Sequence, residues 1–346
     1  MPDRIGVAVI GTGWIGEIRA HNCARHPLVE DLFLAEIDTA KAEKVAANTG
    51  ARLWTTDYRE LLRRDDVHAV IVSTTPESTH YPIARDALLA GKHVLLEKPM
   101  ALTLREADEL VEIARSQRLK FTIGYTQRFN PKYAFVKECI VSGRIGRPVT
   151  ALVSRSAPLG LGQKLATRSG LTPTQMEATH DLDFVLWCLQ DARPVRVYAQ
   201  SAYKVMRGMG VNAPDCVWTI VTMDDGTVLT VGANWILPPT HPRAIIATIE
   251  FWGTEGSLII DDTHREVLFY QPDGLSIPMS TMPGEQIMHV FQGPMQAETW
   301  HFIDCVVHDR AVLVTPEQAR RVMEVTLAAD LSAEIGKPVE LPMEYA

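Results

Sequence analysis

The chain has 346 residues, enough for two domains with a core each, and its 46% apolar and 22% charged content is that of an ordinary globular protein. A formal net charge of -8 argues against nucleic acid or an anionic membrane as the main partner. Five cysteines, at 23, 139, 188, 216 and 305, are odd in number and widely spaced, and no apolar run resembles a signal core or a membrane span, which points to a reducing cytoplasm.

Residues 4–10 form a short apolar run that passes directly into Gly11-Thr12-Gly13-Trp14-Ile15-Gly16 and then a helical stretch to about Arg25. Strand, tight turn and helix are the context in which a G-x-G-x-x-G binds a dinucleotide. Gly11 allows the turn, Gly13 lets the backbone approach a pyrophosphate, and Gly16 lets helix and strand pack closely. Amides at the helix start, those of Trp14 and Ile15 among them, would hold the phosphate charge. A second strand over 32–37 ends on Glu36, followed by Ile37 and Asp38. An acid about 20 residues after the glycines accepts from a ribose 2'-hydroxyl and repels a 2'-phosphate, and no arginine follows it, so NAD is expected over NADP.

A helix over 39–48, a strand over 52–55, a helix over 58–63 and a strand over 69–73 continue the alternation and require a parallel, doubly wound sheet. The loop after that strand, Ser73-Thr74-Thr75-Pro76-Glu77-Ser78-Thr79-His80, is small and hydroxylic. It is expected to lie near the cofactor through Thr74, Pro76 and His80, or to serve only as a helix cap. After a helix to Ala90 comes Gly91-Lys92-His93-Val94-Leu95-Leu96-Glu97-Lys98-Pro99, a buried strand that finishes on a charge pair. In an open α/β sheet ligands lie outside the carboxyl ends of the strands, so Glu97 and Lys98 face the crevice and Lys98 becomes the first catalytic candidate. Pro99 fixes its own φ and disfavours the helical region for Lys98. A strand-end salt bridge is the plainer alternative. A helix over 104–118 and a strand over 120–124 complete a dinucleotide domain, expected at residues 1–124.

From Tyr125 the alternation stops. A helix over 131–142 leads to strands over 149–156, 195–202, 216–223, 227–235, 244–252, 256–260 and 266–270, and Asp224-Asp225-Gly226 is a hairpin signal. Residues 125–346 are therefore expected to form an α+β domain with a large, mostly antiparallel sheet that binds substrate and joins subunits. On a helix over 174–189, Leu182, Val185, Leu186 and Leu189 make a sheet-facing stripe. His180 stands well around from it, with Glu177 and Asp183 at i-3 and i+3. His301, Asp304, Cys305 and His308 share one helix at metal-ligand spacing, but the apolar residues between them explain that helix, and no metal is expected. His241 reads as part of a rigid proline loop.

The glycine motif, Ser-Thr-Thr-Pro-x-x-x-His over 73–80, Gly-Lys-His-Val-Leu-Leu-Glu-Lys-Pro over 91–99 and Arg128-Phe129-Asn130-Pro131 together resemble the glucose-fructose oxidoreductase, inositol dehydrogenase and MocA family along nearly the whole chain. The resemblance implies that Lys98 lies beside the nicotinamide and bonds the reacting hydroxyl, and that His180, in His180-Asp181-Leu182-Asp183, contacts substrate hydroxyls. Many members that oxidise cyclitols or sugars carry an aspartate four residues before this histidine. This chain has Met176 there, and Glu177 is offset by one residue, about 100° around a helix.

The expected activity is oxidation of a secondary hydroxyl of a sugar, cyclitol or related polyol with NAD. Lys98 would bind the hydroxyl oxygen and His180 take its proton, or the reverse, with Glu177 and Asp183 in support. Tyr125, Arg128, Asn130 and Arg155 are the candidate substrate contacts. Two alternatives stay open: a redox-neutral sugar-modifying enzyme that keeps its NAD, and a cofactor-binding sensor without chemistry. A homodimer or homotetramer through the second-domain sheet is expected.

Overall fold

A computed structural model describes residues 3–241, 245–262, 269–271, 274–276, 285–287 and 290–344. The chain makes two compact units, Met1–Phe129 with Thr281–Arg320, and Asn130–Ser280 with Arg321–Ala346. Compactness thus divides the chain differently from a single cut after residue 124, because a late segment returns to the first unit.

That unit holds strands β1 (Ile5–Ile10), β2 (Val29–Ala35), β3 (Leu53–Thr55), β4 (Ala69–Val72), β5 (His93–Leu96) and β6 (Phe121–Ile123). They lie in the order β3-β2-β1-β4-β5-β6 and every pairing is parallel. This is the doubly wound arrangement, with its switch point between β1 and β4. The helices are α1 (Trp14–Ala24), α2 (Thr39–Thr49), α3 (Tyr58–Leu62), α4 (His80–Leu89) and α5 (Leu104–Ser116). Their ends follow local chemistry. Asp38 caps α2 by accepting from the Lys41 amide, Gly50 closes it at φ 69°, and Thr103 with Glu106 forms a capping box on α5. Strands β1, β4 and β5 are buried on both faces, as central strands of a covered parallel sheet must be.

The second unit takes in α6 (Pro131–Val141), β7 (Pro148–Pro158), α7 (Leu159–Ser169), a π turn over Thr174–Ala178, α8 (Thr179–Cys188), β8 (Pro194–Ala202), α9 (Val205–Gly208), β9 (Cys216–Met223), β10 (Val228–Leu237), β11 (Ile246–Gly253) and β12 (Ser257–Asp261). Short strands β13 (Phe269–Gln271) with β14 (Gly274–Ser276) and β15 (Glu285–Ile287) with β16 (Val290–Gln292) make two hairpin-like pairs. Residues 266–268 of the expected strand over 266–270 lie outside the described residues. Helices α10 (Pro294–Val307) and α11 (Pro316–Ile335) and the two-residue β17 (Val339–Glu340) complete the chain. The large sheet runs β12-β11-β7-β10-β9-β8-β17, antiparallel except where β10 meets β7. Asp224, Asp225 and Gly226, the last at φ 89°, turn β9 into β10 as expected.

Phe302, Ile303 and Val306 of α10 join the first unit's core, against Val7, Leu34, Ile71 and Leu95. In the second unit the inner faces of the strands bury Val153, Val197, Val221, Leu229, Ile249 and Phe251. Helix α7 was not among the expected elements. A Cβ on Gly162 would lie 2.3 Å from Trp235 Cβ, so the glycine lets this helix sit directly on β10.

Candidate active site

The glycine turn has the contacts its spacing foretold. A Cβ on Gly16 would fall 1.8 Å from Gly11 O, and one on Gly11 2.7 Å from Ser73 O, whereas one on Gly13 would meet nothing within 4 Å. Gly11 and Gly16 are therefore needed for packing, and Gly13 leaves the backbone open to an incoming group. Trp14, at the start of α1, is 71% exposed, and Ile15 is half-buried. Ser73 donates to Gly11 O at 3.0 Å, which couples the hydroxylic loop to the turn.

Glu36 is preset. Its Oε2 accepts from the Thr12 amide at 2.7 Å and hydroxyl at 3.0 Å, and its Oε1 from the Asp38 amide at 3.1 Å. Ile37 beside it is exposed. The open backbone at Gly13 and the fixed carboxylate past β2 fit a dinucleotide, with Gly11, Gly13, Trp14, Ile15, Gly16, Glu36 and Ile37 as the residues that would hold it. In the 73–80 loop, Thr74 Oγ1 bonds Thr79 Oγ1 at 2.6 Å, and Pro76 is exposed while its carbonyl accepts from Thr79.

Lys98 is half-buried directly after β5. Its neighbour Glu97, expected at the cofactor, is held within the fold. Glu97 Oε1 accepts from Arg19 Nε at 3.0 Å and Nη2 at 2.7 Å, so this carboxylate is spent largely on Arg19. Arg19, fully buried on α1, also donates to Glu298 Oε2 at 2.5 Å and Thr299 Oγ1 at 3.0 Å. Burial pushes the guanidinium down, but the charges of Glu298 and Glu97 outweigh it and hold Arg19 above its ordinary value. Sequence reasoning missed Arg19. Its only local signal was a charge on the helix side that the amphipathic pattern assigns to the core.

His80 is likewise engaged within the fold. It is 2% exposed, with Nδ1 2.7 Å from Pro99 O and Nε2 3.0 Å from Thr74 O. Both nitrogens stand against backbone carbonyls, so the ring packs between the loop and Pro99.

On the second unit, His180 is half-buried in the first turn of α8, just after the π turn, and Asp181, Leu182 and Asp183 are all buried. π turns frequently mark functional sites. Leu182 faces Val221 and Val231 of the sheet, as its stripe required. Phe184 instead meets Tyr133 and Phe251 edge-on, at centroid distances of 4.7 and 5.9 Å. Met176 is buried with Leu165, Ala166, Met206 and Trp235 in an apolar cluster. Glu177 is buried within the field of Arg155.

The four candidate substrate contacts fare differently. Arg155 is buried, and Asp181 occupies the Nε–Nη2 edge of its guanidinium, so it braces β7 against α8. Arg128 is buried with Nη1 on Leu313 O at 3.1 Å and Gln318 Oε1 at 2.6 Å. Tyr125 is buried. Asn130 caps α6 by accepting from the Lys132 amide, and its buried Nδ2 has no hydrogen-bond partner among the described residues. On α10, His301 Nε2 accepts from the Leu313 amide at 2.9 Å, and no group of three or more His, Cys, Asp or Glu among the described residues is disposed to hold a metal ion. His241 lies in a bend, its amide on Pro238 O. No helix among the described residues is long and apolar enough to cross a membrane.

Residues 5–125 match the model of the Gfo/Idh/MocA oxidoreductase family's NAD-binding Rossmann fold, and residues 137–341 match its C-terminal alpha/beta domain. The scyllo-inositol 2-dehydrogenase (NAD(+)) of Bacillus subtilis is 28% identical over 100% of this chain and 99% of its own. The UDP-N-acetylglucosamine 3-dehydrogenase of Acidithiobacillus ferrooxidans is 27% identical over 94% of this chain and 96% of its own. A crystal structure of scyllo-inositol dehydrogenase from Lactobacillus casei with bound NAD(H) and scyllo-inositol covers 98% of this chain and all of its own at TM-score 0.84 and 20% identity, a likeness of fold.

Proposed function

The chain belongs to the Gfo/Idh/MocA oxidoreductase family, and from that premise we propose that it oxidises a secondary hydroxyl of a cyclitol, sugar or related polyol with NAD as hydride acceptor. The observation that carries this reading is Lys98, half-buried at the carboxyl end of β5 with a tethered residue on either side, in a sheet whose glycine turn fits a dinucleotide. Relatives named for inositol and for a nucleotide sugar support the substrate class. NAD is favoured over NADP because the fixed Glu36 carboxylate accepts from a ribose hydroxyl and opposes a phosphate.

Bound nicotinamide supplies the hydride acceptor. Lys98 donates a hydrogen bond to the substrate hydroxyl oxygen and stabilises the charge that develops there. His180 takes the hydroxyl proton, since an imidazole is the easier base near neutral pH. Glu177 and Asp183, three residues to either side on the same helical run, orient that histidine, and Asn130 is the strongest of the proposed substrate contacts. For the functional division we adopt residues 1–124 as the cofactor domain and 125–346 as the substrate and assembly domain, in a cytoplasmic protein.

The outward face of the large sheet carries Leu152, Trp218, Ile220, Trp252 and Ile259, all exposed. A second copy of the chain covering this face accounts for such an apolar surface, and gives a homodimer or, by repetition, a tetramer.

The test is a panel of cyclitols, aldoses, glycosides and sugar acids with NAD, followed by NADH absorbance, with Lys98→Met as control. Turnover lost in that variant is the expected result; turnover that persists in it removes the reading. Silence across the panel, with NADH carried through purification, turns the reading to an enzyme that retains its cofactor or to a cofactor-binding sensor without chemistry, and the buried Met176, which cannot relay a proton, favours the sensor.

A further inference from the structure

Lys98 is flanked by two tethers that come from different elements of the same unit. On its N-terminal side, Arg19 of α1 grips Glu97 and is itself held by Glu298 and Thr299 of α10. On its C-terminal side, Pro99 O lies 2.7 Å from His80 Nδ1 at the start of α4. Neither tether is cheap. Burying a guanidinium between two carboxylates, or an imidazole between two carbonyls, desolvates polar groups that an apolar residue would not have brought inside. Apolar side chains would fill both spaces, so packing alone does not call for these groups.

The two tethers also reach the cofactor-binding segments. Arg19 lies one turn beyond Gly16 on α1, and His80 Nε2 is 3.0 Å from Thr74 O in the hydroxylic loop. Arg19, which holds Glu97, thus belongs to the helix expected to bind the dinucleotide, and His80, which holds Pro99, lies against the loop expected to line it. A carbonyl only accepts, so a neutral His80 serves Pro99 with its proton on Nδ1, the shorter of its two contacts.

We infer that His80 is a positioning residue for Lys98: its Nδ1–H holds the Pro99 carbonyl while Arg19 holds Glu97, and the backbone that carries the lysine is thereby fixed on both sides. This rests on the reading in which Lys98 meets the reacting hydroxyl. A displacement of about 1 Å at such a group costs about 100-fold in rate.

Asparagine reproduces a donor near the Nδ1 position and glutamine one near Nε2, so His80→Asn and His80→Gln separate the Pro99 contact from the Thr74 contact. The full-length protein is reductively 13C-methylated at its lysines, and the Lys98 resonance is assigned by its loss in Lys98→Arg. This measurement needs no substrate, so its failure is distinct from failure of the dehydrogenase reading. Expected is a Lys98 resonance at its wild-type position in His80→Asn and collapsed into the envelope of surface lysines in His80→Gln, with circular dichroism unchanged in both. With a substrate from the panel, kcat falls about 100-fold in His80→Gln while KM for that substrate holds, and His80→Asn recovers most of the loss. A Lys98 resonance that stays in place in both variants, or moves equally in both, overturns the inference. So does a chain that folds only with histidine at position 80, which would make the residue a requirement of stability.

Discussion

Arg155 and Asp181 meet side-on, Nε to Oδ2 at 2.5 Å and Nη2 to Oδ1 at 2.7 Å, both out of contact with solvent. Burial pushes the guanidinium down, yet the charge of Asp181 more than compensates and leaves it above its ordinary value. The pair ties β7 to α8, one residue after His180. Removing a single partner leaves an uncompensated buried charge, so Arg155→Met or Asp181→Asn lowers unfolding stability by about 3–5 kcal/mol. Replacing both with apolar residues of similar volume recovers much of it. Urea denaturation of the two single variants and the double variant measures this.

The proposed preference for NAD over NADP rests on the Glu36 carboxylate, held by Thr12. Glu36→Ser removes the charge that opposes a 2'-phosphate and lowers the ratio of NADPH to NADH dissociation constants by about tenfold or more, equivalent to roughly 1.4 kcal/mol. Fluorescence titration of both reduced cofactors reads it. Wild-type protein that binds NADPH more tightly than NADH overturns the assignment.

Met176 is packed against Trp235 and Met206, so restoring the acid that many related chains carry there does not restore a relay. Met176→Asp introduces a charge into an apolar cluster and costs more than about 3 kcal/mol, while Met176→Leu costs less than about 1.5 kcal/mol. Turnover does not rise in either. A gain of activity in the aspartate variant, measured on any substrate from the panel, shows that the site tolerates the acid and that the packing argument is wrong.

Asp330 accepts from the Thr172 hydroxyl, 2.9 Å from each of its oxygens, just ahead of the π turn, and burial pushes its carboxyl up to about 7. Unfolded, the same group titrates near ~3.9. Between these values the folded chain binds a proton that the unfolded chain has released, so stability falls as pH rises through that window and is level above it. Asp330→Asn, which mimics the neutral acid, raises the thermal midpoint most at pH 8, by clearly less at pH 5 inside the window, and hardly at all below the unfolded value. Equal shifts at both pH values exclude the titration.

The sequence by itself determined what depends on neighbours along the chain. Alternating periods of two and 3.6 placed the parallel strands, Asp224-Asp225-Gly226 placed a hairpin, and Gly11 and Gly16 declared which backbone positions must lack a Cβ. The charged end of an apolar strand placed Lys98 at the sheet's carboxyl edge. Tertiary structure decided which partner each buried charge has. Arg19 finds Glu298 across 279 residues and Arg155 finds Asp181 across 26, and no local pattern carries such a pairing. For the same reason the partners that Glu97, His80 and Arg155 find inside the fold had no local signal, nor did the close approach at Gly162, where α7 rests on Trp235. A side chain's polarity is written in its identity. Whether that polarity faces a ligand or another part of the fold is fixed only when desolvation forces every buried charge to be matched in three dimensions.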